Sequence, residues 1–317
     1  MIKIIILILY LSLQSFALIF PIFSYSGESG TILGGFIQQK LSEDSSGQLF
    51  LLSQQKGQAG FLNITNLPIA KHKANIKIYG STTGESYYGI GNISKKTETN
   101  NLYFNELSTS VTVEQKLNKT WDALYGLRHN YYKENTNKNN QSDVFKPLTD
   151  IGLILGIQMD RRDQEYNPNK GYFNEIKVSL FNEHQIFSND VRYYHPTDSG
   201  LFATKFYTTQ TFTKSDHFIY LAGIGNYYYL RGYKTNDIID RHLSYTQFEW
   251  RRKITSWFIL TPFIEAGIIG SSLQNIKKSL FSYGLGAYFP IGNGSFRLDF
   301  AYAEDNSEFY FGFNHVF

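Results

Sequence analysis

From residue 20 onward the chain alternates apolar and polar positions with a period of two, and no stretch repeats with the spacing of a helix. The alternation is cleanest toward the C-terminus. Phe281, Tyr283, Leu285, Ala287 and Phe289 interleave with Ser282, Gly284, Gly286 and Tyr288. Phe296, Leu298, Phe300 and Tyr302 then interleave with Ser295, Arg297, Asp299 and Ala301. Phe309, Phe311, Phe313 and Phe317 share a last face, opposite Glu308, Gly312 and Asn314. The pattern predicts about sixteen strands, over 19–26, 30–40, 47–54, 58–66, 72–84, 101–116, 119–132, 149–160, 170–183, 188–197, 200–213, 242–253, 256–269, 279–290, 294–304 and 307–317. Short links (116–119, 195–200, 290–294) contrast with long polar ones (84–100, 132–145, 214–241), and the Asn-rich stretch 135–141 reads as a solvated surface loop. No domain boundary interrupts the pattern, so one domain over 18–317 is expected.

Each strand thus has one aromatic or aliphatic face and one face mixing glycine with paired charges. A soluble sandwich would bury the first face, whereas a membrane barrel turns it to lipid and the second to its lumen. Periodicity fits both. Three features favour an all-β fold, a transmembrane antiparallel β-barrel of about sixteen strands. Tyr and Phe crowd near strand ends like an interfacial girdle. The chain ends on a strand at Phe317, which would otherwise be an exposed aromatic edge. The third feature is the N-terminus: Lys3, an apolar run from Ile4 to Leu13, then Ser15-Phe16-Ala17 read as a signal peptide over 1–17, cut after Ala17. A membrane-anchor helix is the competing reading of that segment, and Pro21 with the alternation after it argues against one. Beyond it no stretch approaches the roughly 18 apolar residues of a spanning helix.

Composition narrows the chemistry. Aromatic residues make up 17% of the 317 and charged ones only 18%; 30 basic side chains nearly balance 27 acidic ones, which suggests no nucleic-acid partner. There is no cysteine, so disulfides and thiolate metal sites are excluded. The seven histidines are scattered without metal-ligand spacing. Ser282 lacks the frame of a nucleophile elbow, and Gly223-Ile224-Gly225 lacks the strand–helix context of a phosphate loop. Neither an enzyme nor a cofactor is expected.

The tetrapeptide Leu230-Arg231-Gly232-Tyr233 stands on the longest link, before a strand with Glu249 and Arg251 and a further one reading Phe263-Ile264-Glu265-Ala266-Gly267. Asp160-Arg161-Arg162-Asp163 and Asn167-Pro168-Asn169-Lys170-Gly171-Tyr172-Phe173 join two earlier strands. Gly284-Leu285-Gly286, Pro290-Ile291-Gly292 and Arg297-Leu298-Asp299 follow. In this order the motifs resemble those of the outer-membrane protein-assembly superfamily (bacterial surface antigen, BamA/TamA type), thinly over the whole chain and well over 160–317. The Arg-Gly-aromatic stretch is similar to that family's long sixth extracellular loop, and Phe263, Glu265 and Gly267 to its F-x-D-x-G strand, with Glu in place of Asp.

The resemblance implies that Arg231 reaches from the loop into the lumen to pair with Glu265, with Gly232, Tyr233 and Glu249 completing the lock. Alternation independently puts Glu249, Arg251, Glu265, Arg297 and Asp299 on the lumen face. A lumen of ordinary ion pairs with Arg231 in solvent is the alternative. Asp160, Arg161, Asp163, Asn167, Pro168 and Gly171 are expected to clamp a periplasmic turn, a structural role that plain turn chemistry also explains. Phe313 and Phe317 would form the C-terminal strand signal.

The family inserts β-barrel proteins into the outer membrane or translocates chains across it, through a seam between the first and last strands that here would join 19–26 to 307–317. Pro21 suits a weak edge there. The resemblance therefore implies a multi-pass barrel in the outer membrane of a Gram-negative cell, a short member without periplasmic POTRA domains. Its partners would be outer-membrane lipid, and unfolded barrel clients or a separate periplasmic protein. A passive pore or structural barrel without insertase activity is the alternative function.

Overall fold

The computed structural model describes residues 17–26, 30–42, 45–55, 57–87, 89–91, 100–135, 146–164, 167–225, 229–291, 294–304 and 306–313. Sixteen strands form one antiparallel sheet in which chain neighbours are sheet neighbours. They are β1 (Ala17–Ser26), β2 (Gly30–Lys40), β3 (Ser46–Gln54), β4 (Gly57–Ile69), β5 (His72–Tyr87), β6 (Asn100–Lys116), β7 (Asp122–Glu134), β8 (Leu148–Asp160), β9 (Gly171–Leu180), β10 (His184–Thr197) and β11 (Gly200–Thr213). Two-residue strands β12 (Ala222–Gly223) and β13 (Ile239–Asp240) pair with each other inside the long link, which also holds a single 3-10 turn at Phe218–Tyr220. The sheet resumes with β14 (His242–Lys253), β15 (Ile259–Ser272), β16 (Asn275–Ile291), β17 (Gly294–Ala303) and β18 (Asn306–Phe313). Its order begins at β1 and ends at β18.

Every strand predicted from alternation is present, and the boundaries move where period two breaks. Alternation alone leaves a longer link after β15; instead Leu273 and Gln274 make a tight turn, with register shifts beside Gly270 carrying the ladder past the point where the pattern stops. A bulge of this kind moves side chains to the other face, which is why the alternation ends early. β10 starts at His184, earlier than expected, because Ile186 and Phe187 interrupt the alternation. β7 starts late, at Asp122, because Asn118 makes an Asx turn. Its Oδ1 accepts from the amides of Thr120 (2.8 Å) and Trp121 (3.0 Å). The signal-peptide expectation falls on residues 1–16, outside the described residues, as do Phe317 and the stretch 136–141. Phe313 ends β18 opposite Phe296.

The contacts divide the chain into two units. One contains residues up to Glu85, Asn101–Lys116 and Ala123–Leu155; there Ile151, Leu153 and Leu155 of β8 stand exposed while Gly152 and Ile154 between them are buried. Within it, Asn66 takes a left-handed φ of 55° at a bulge in β4, and Asn75 Oδ1 accepts from its amide at 2.8 Å. The second unit holds Ser86–Asn100, Leu117–Asp122 and Gly156 onward. Here the two faces of the sheet are opposite in kind. On β15 Ile264 is 50% exposed while Phe263 is 3% and Glu265 0% exposed. Phe248, Phe281, Tyr283, Leu285 and Phe300 share the exposed face; Glu249, Arg251, Arg297 and Asp299 share the buried one. Burying charges while exposing aromatics inverts the arrangement of a water-soluble sheet.

Candidate functional site

The loop between β11 and β14 covers the charged face of the second unit. Ile224, Leu230, Tyr233 and Ile238 from the loop pack with Leu243, Tyr245, Ile269, Leu280 and Ala303 of the strands. Fully burying one such side chain contributes roughly 1.5–3 kcal/mol, so this apolar cluster holds the loop down before any charge is counted. The β12–β13 pairing closes the loop on itself, aided by Ile224 N donating to Ile238 O at 3.1 Å and Asn236 N to Ile224 O at 2.8 Å.

Arg231 is thereby driven into the protein, 1% exposed. Its Nε donates to Glu265 Oε1 at 2.6 Å and its backbone amide to Glu265 Oε2 at 2.7 Å. Nη1 reaches Asp299 Oδ2 at 2.6 Å and Nη2 reaches Glu249 Oε1 at 3.1 Å. The guanidinium lies 3.6 Å from the centroid of the Phe263 ring. One planar fork thus bridges carboxylates from three strands, which a point-charged lysine could not do. Register explains the convergence. Gln247 lies opposite Glu265, Glu265 opposite Ser282, and Gly286 opposite Asp299. Gln247 Nε2 (2.8 Å) and Ser282 Oγ (3.2 Å) donate the remaining bonds to Glu265.

Two further arginines complete the charge set. Arg297 donates to both Asp299 oxygens (2.8 and 2.9 Å) and, through Nη1 and Nη2, to Glu249 at 3.0 and 2.6 Å. Arg251 Nε meets Glu249 Oε2 at 3.1 Å. Arg231, Arg251 and Arg297 therefore neutralise Glu249, Glu265 and Asp299 in a region almost closed to water. The glycines of β16 make room for it: a Cβ at Gly284 would run into the Phe263 ring, and one at Gly286 into the Asp299 carboxylate.

The turn that aims Arg231 needs backbone freedom on both sides. Leu230 has φ 55° and Gly232 φ 95°. A Cβ on Gly232 would come within 2.9–3.0 Å of the backbone of Tyr302 and of Ala303, so glycine serves both the left-handed conformation and the close approach. Its amide donates to the Tyr310 hydroxyl and its carbonyl accepts from Asn306 Nδ2, each at 2.9 Å. The Tyr233 hydroxyl accepts from the Phe281 amide (3.0 Å) and donates to its carbonyl (3.1 Å), although that amide and carbonyl sit mid-strand in β16.

Of the residues expected in the lock, Arg231, Gly232, Tyr233, Glu249 and Glu265 come together. Sequence reasoning placed Arg297 and Asp299 on this face but did not join them to the loop, and it missed Gln247, Ser282, Tyr310 and Asn306. The signal for the first two was present, because oppositely charged residues two apart share a strand face. Glu249/Arg251, Arg297/Asp299, Asp190/Arg192 and Glu175/Lys177 all pair in this way.

The β8–β9 turn is built differently. Asp163 Oδ1 accepts from the amides of Asn169 (2.9 Å) and Lys170 (3.3 Å), and Asp163 N donates to Lys170 O at 3.2 Å. Slight burial pushes the Asp163 carboxyl up, but these amide donors outweigh it and hold the group below the usual carboxylate range. Asp160 pairs with Arg162 at 2.5 Å, while Arg161 reaches across to Thr120 Oγ1 at 2.8 Å. Pro168 is buried, Asn169 donates to the Asn167 carbonyl at 3.4 Å, and Gly171 has φ 104°. Arg162, which the sequence reading passed over, is the residue that both pairs with Asp160 and covers the Phe173 ring at 4.6 Å. Among the described residues no cluster of His, Asp or Glu is arranged to hold a metal.

No protein-family model and no curated protein matches the chain. Solved structures do. BamA from Haemophilus ducreyi, in a form lacking POTRA domains 1–3, is similar with a TM-score of 0.63 and 16% identity over 94% of this chain. CdiB from Acinetobacter baumannii is similar with a TM-score of 0.63 and 11% identity, again over 94%. The chain spans 69% of the length of the first and 58% of the second. The fold of this chain is that of the BamA- and CdiB-type barrels.

Proposed function

We propose that the protein is an outer-membrane barrel that assists the insertion or translocation of proteins at the outer membrane of a Gram-negative cell. The observation that carries the membrane reading is the inverted sheet, with Ile264 half exposed beside a fully buried Glu265. A row of exposed Phe, Tyr, Leu and Ile side chains is satisfied by lipid and costly in water. The assembly reading rests on three supports together: the loop carrying Arg231 into a carboxylate cluster, the ordered motifs around it, and the similarity in fold to BamA and CdiB.

In this reading β1 and β18, the two ends of the strand order, supply the working edge. An edge strand presents unpaired N–H and C=O groups on which an incoming strand can template, and β1 carries Pro21, which donates no ladder bond. Client chains and outer-membrane lipid are then the partners. Reconstitution tests the reading. Liposomes containing the purified barrel should speed the folding of a second outer-membrane barrel; ion conduction without any acceleration would leave only the passive-pore alternative.

A further inference from the structure

We propose that Arg252 and Lys253, at the end of β14, form a site for the headgroup of an anionic glycerophospholipid such as phosphatidylglycerol. The inference rests on the membrane reading above. Along the outward face of β14 the side chains run Phe248, Trp250, Arg252, from apolar through aromatic to cationic toward the strand end. Phe248 is 46% exposed, whereas Glu249 and Arg251, which alternate with these three, are buried and paired with each other. A cation on the lipid face of a strand is costly at mid-membrane and tolerated at headgroup depth. The long link lies at the other end of β14, and short turns of such barrels face the periplasm, so the leaflet concerned is the periplasmic one.

The neighbouring rings mark the same depth. Phe202 stacks with Trp250 at 6.4 Å across the β11–β14 register. Beyond the β14–β15 turn, Phe258 lies 5.6 Å from Phe289, which stacks with Phe296 at 6.0 Å. Trp257, 63% exposed, stacks with Phe289 at 6.3 Å, and the turn that carries it is closed by Ile254 N and Thr255 N donating to Phe258 O at 3.0 and 3.1 Å. Aromatic rings gathered at one level are what a bilayer interface selects. Arg252 lies over the Trp250 ring at 5.7 Å, and both it and Lys253 are exposed. Among the described residues neither makes an ion pair, and Asp198, exposed on the adjoining β10–β11 turn, pairs with neither. A phosphodiester supplies the missing negative charge, and its two free oxygens match the guanidinium fork. Its acyl chains then run along Phe248 and Ile264, which face each other in the ladder. A zwitterionic headgroup would bring its own ammonium against Lys253, so the site favours a lipid with net negative charge.

Tryptophan fluorescence of the full chain in liposomes tests this. Trp250 and Trp257 are two of its three tryptophans, so in a Trp121→Phe background their emission reports the site. The probes are phosphatidylglycerol and phosphatidylcholine brominated on the acyl chain, each added at the same mole fraction. Phosphatidylglycerol should associate about five-fold more strongly for each cation it meets, read as deeper quenching. Arg252→Gln together with Lys253→Gln should make the two lipids equal, while Lys119→Gln, exposed on the β6–β7 turn, should keep the preference. Equal quenching without those changes, or a preference that survives them, would overturn the proposal and leave the membrane reading standing. No quenching by either lipid would remove both. Should the double variant fail to insert, sodium chloride takes its place: salt should erase the preference and leave quenching by phosphatidylcholine unchanged, and a preference unmoved by salt would reject the site.

Discussion

Arg231→Ala is the perturbation whose cost the structure apportions best. The guanidinium serves three carboxylates, but they do not depend on it equally. Without it, Glu249 keeps Arg297 and Arg251, and Asp299 keeps both bonds from Arg297. Glu265 alone is left with neutral donors, Gln247, Ser282 and the backbone amide of residue 231, at 0% exposure. Leaving one buried charge uncompensated costs about 3–5 kcal/mol, and losing the contact with the Phe263 face adds about 0.5–2 kcal/mol. The variant should therefore unfold at lower temperature, measured in detergent micelles and by heat-modifiability on gels, and protease should cut within 214–241. The decisive arm is the double variant. Glu265→Gln on top of Arg231→Ala removes the stranded charge and should recover about 0.5–3 kcal/mol, whereas Asp299→Asn should recover little. An Arg231→Ala protein with unchanged protease resistance and midpoint, or a rescue by Asp299→Asn rather than Glu265→Gln, would refute the reasoning.

Other outcomes follow from the same geometry. Gly232→Val should cost about 1–3 kcal/mol through backbone strain and overpacking, read as loop cleavage without loss of the remaining strands; resistance equal to the unaltered protein would contradict the close approach to Ala303. Tyr310→Phe removes the acceptor of the Gly232 amide and should cost about 1–3 kcal/mol in the same unfolding assay. The Asp163 carboxyl is lowered in the folded turn, so its contribution is complete above the ordinary carboxylate range and is lost as pH falls through the lowered value. Proteolysis at the β8–β9 turn should accordingly rise in acid, and Asp163→Ala should show the acid-like pattern already at neutral pH. Gly286→Leu should prevent folding, since its side chain would occupy the place of the Asp299 carboxylate; a folded, heat-modifiable variant would be inconsistent with that packing.

The strands and the lock differ in how far local pattern reveals them. Alternation is a property of the backbone, so all sixteen strands were legible, and local features such as the bulge at Gly270, the Asx turn at Asn118 or the consecutive apolar residues Ile186 and Phe187 shifted their ends. The opposition of Phe263, Glu265 and Gly267 to Ile264 and Ala266 was equally plain. What alternation does not encode is register. Which residue of β17 faces Gly286, and hence that Asp299 comes within reach of Arg231, depends on the shear accumulated across β14, β15 and β16. Tyr310 and Asn306 were invisible for the same reason, since their role is to satisfy the backbone of Gly232, a residue more than seventy positions away. In the β8–β9 turn, two adjacent arginines are equivalent by composition. Only the strand geometry sends Arg162 back onto Asp160 and Arg161 outward to Thr120.

The account rests most heavily on the apolar face meeting lipid. Nitroxide labels placed singly at Ile264, Tyr283, Leu285 and Phe300 in the liposome-reconstituted protein measure this directly. High accessibility to oxygen and low accessibility to a water-soluble nickel chelate at all four positions is the predicted result. Free access of the chelate to these positions would contradict it and return the chain to the water-soluble proteins.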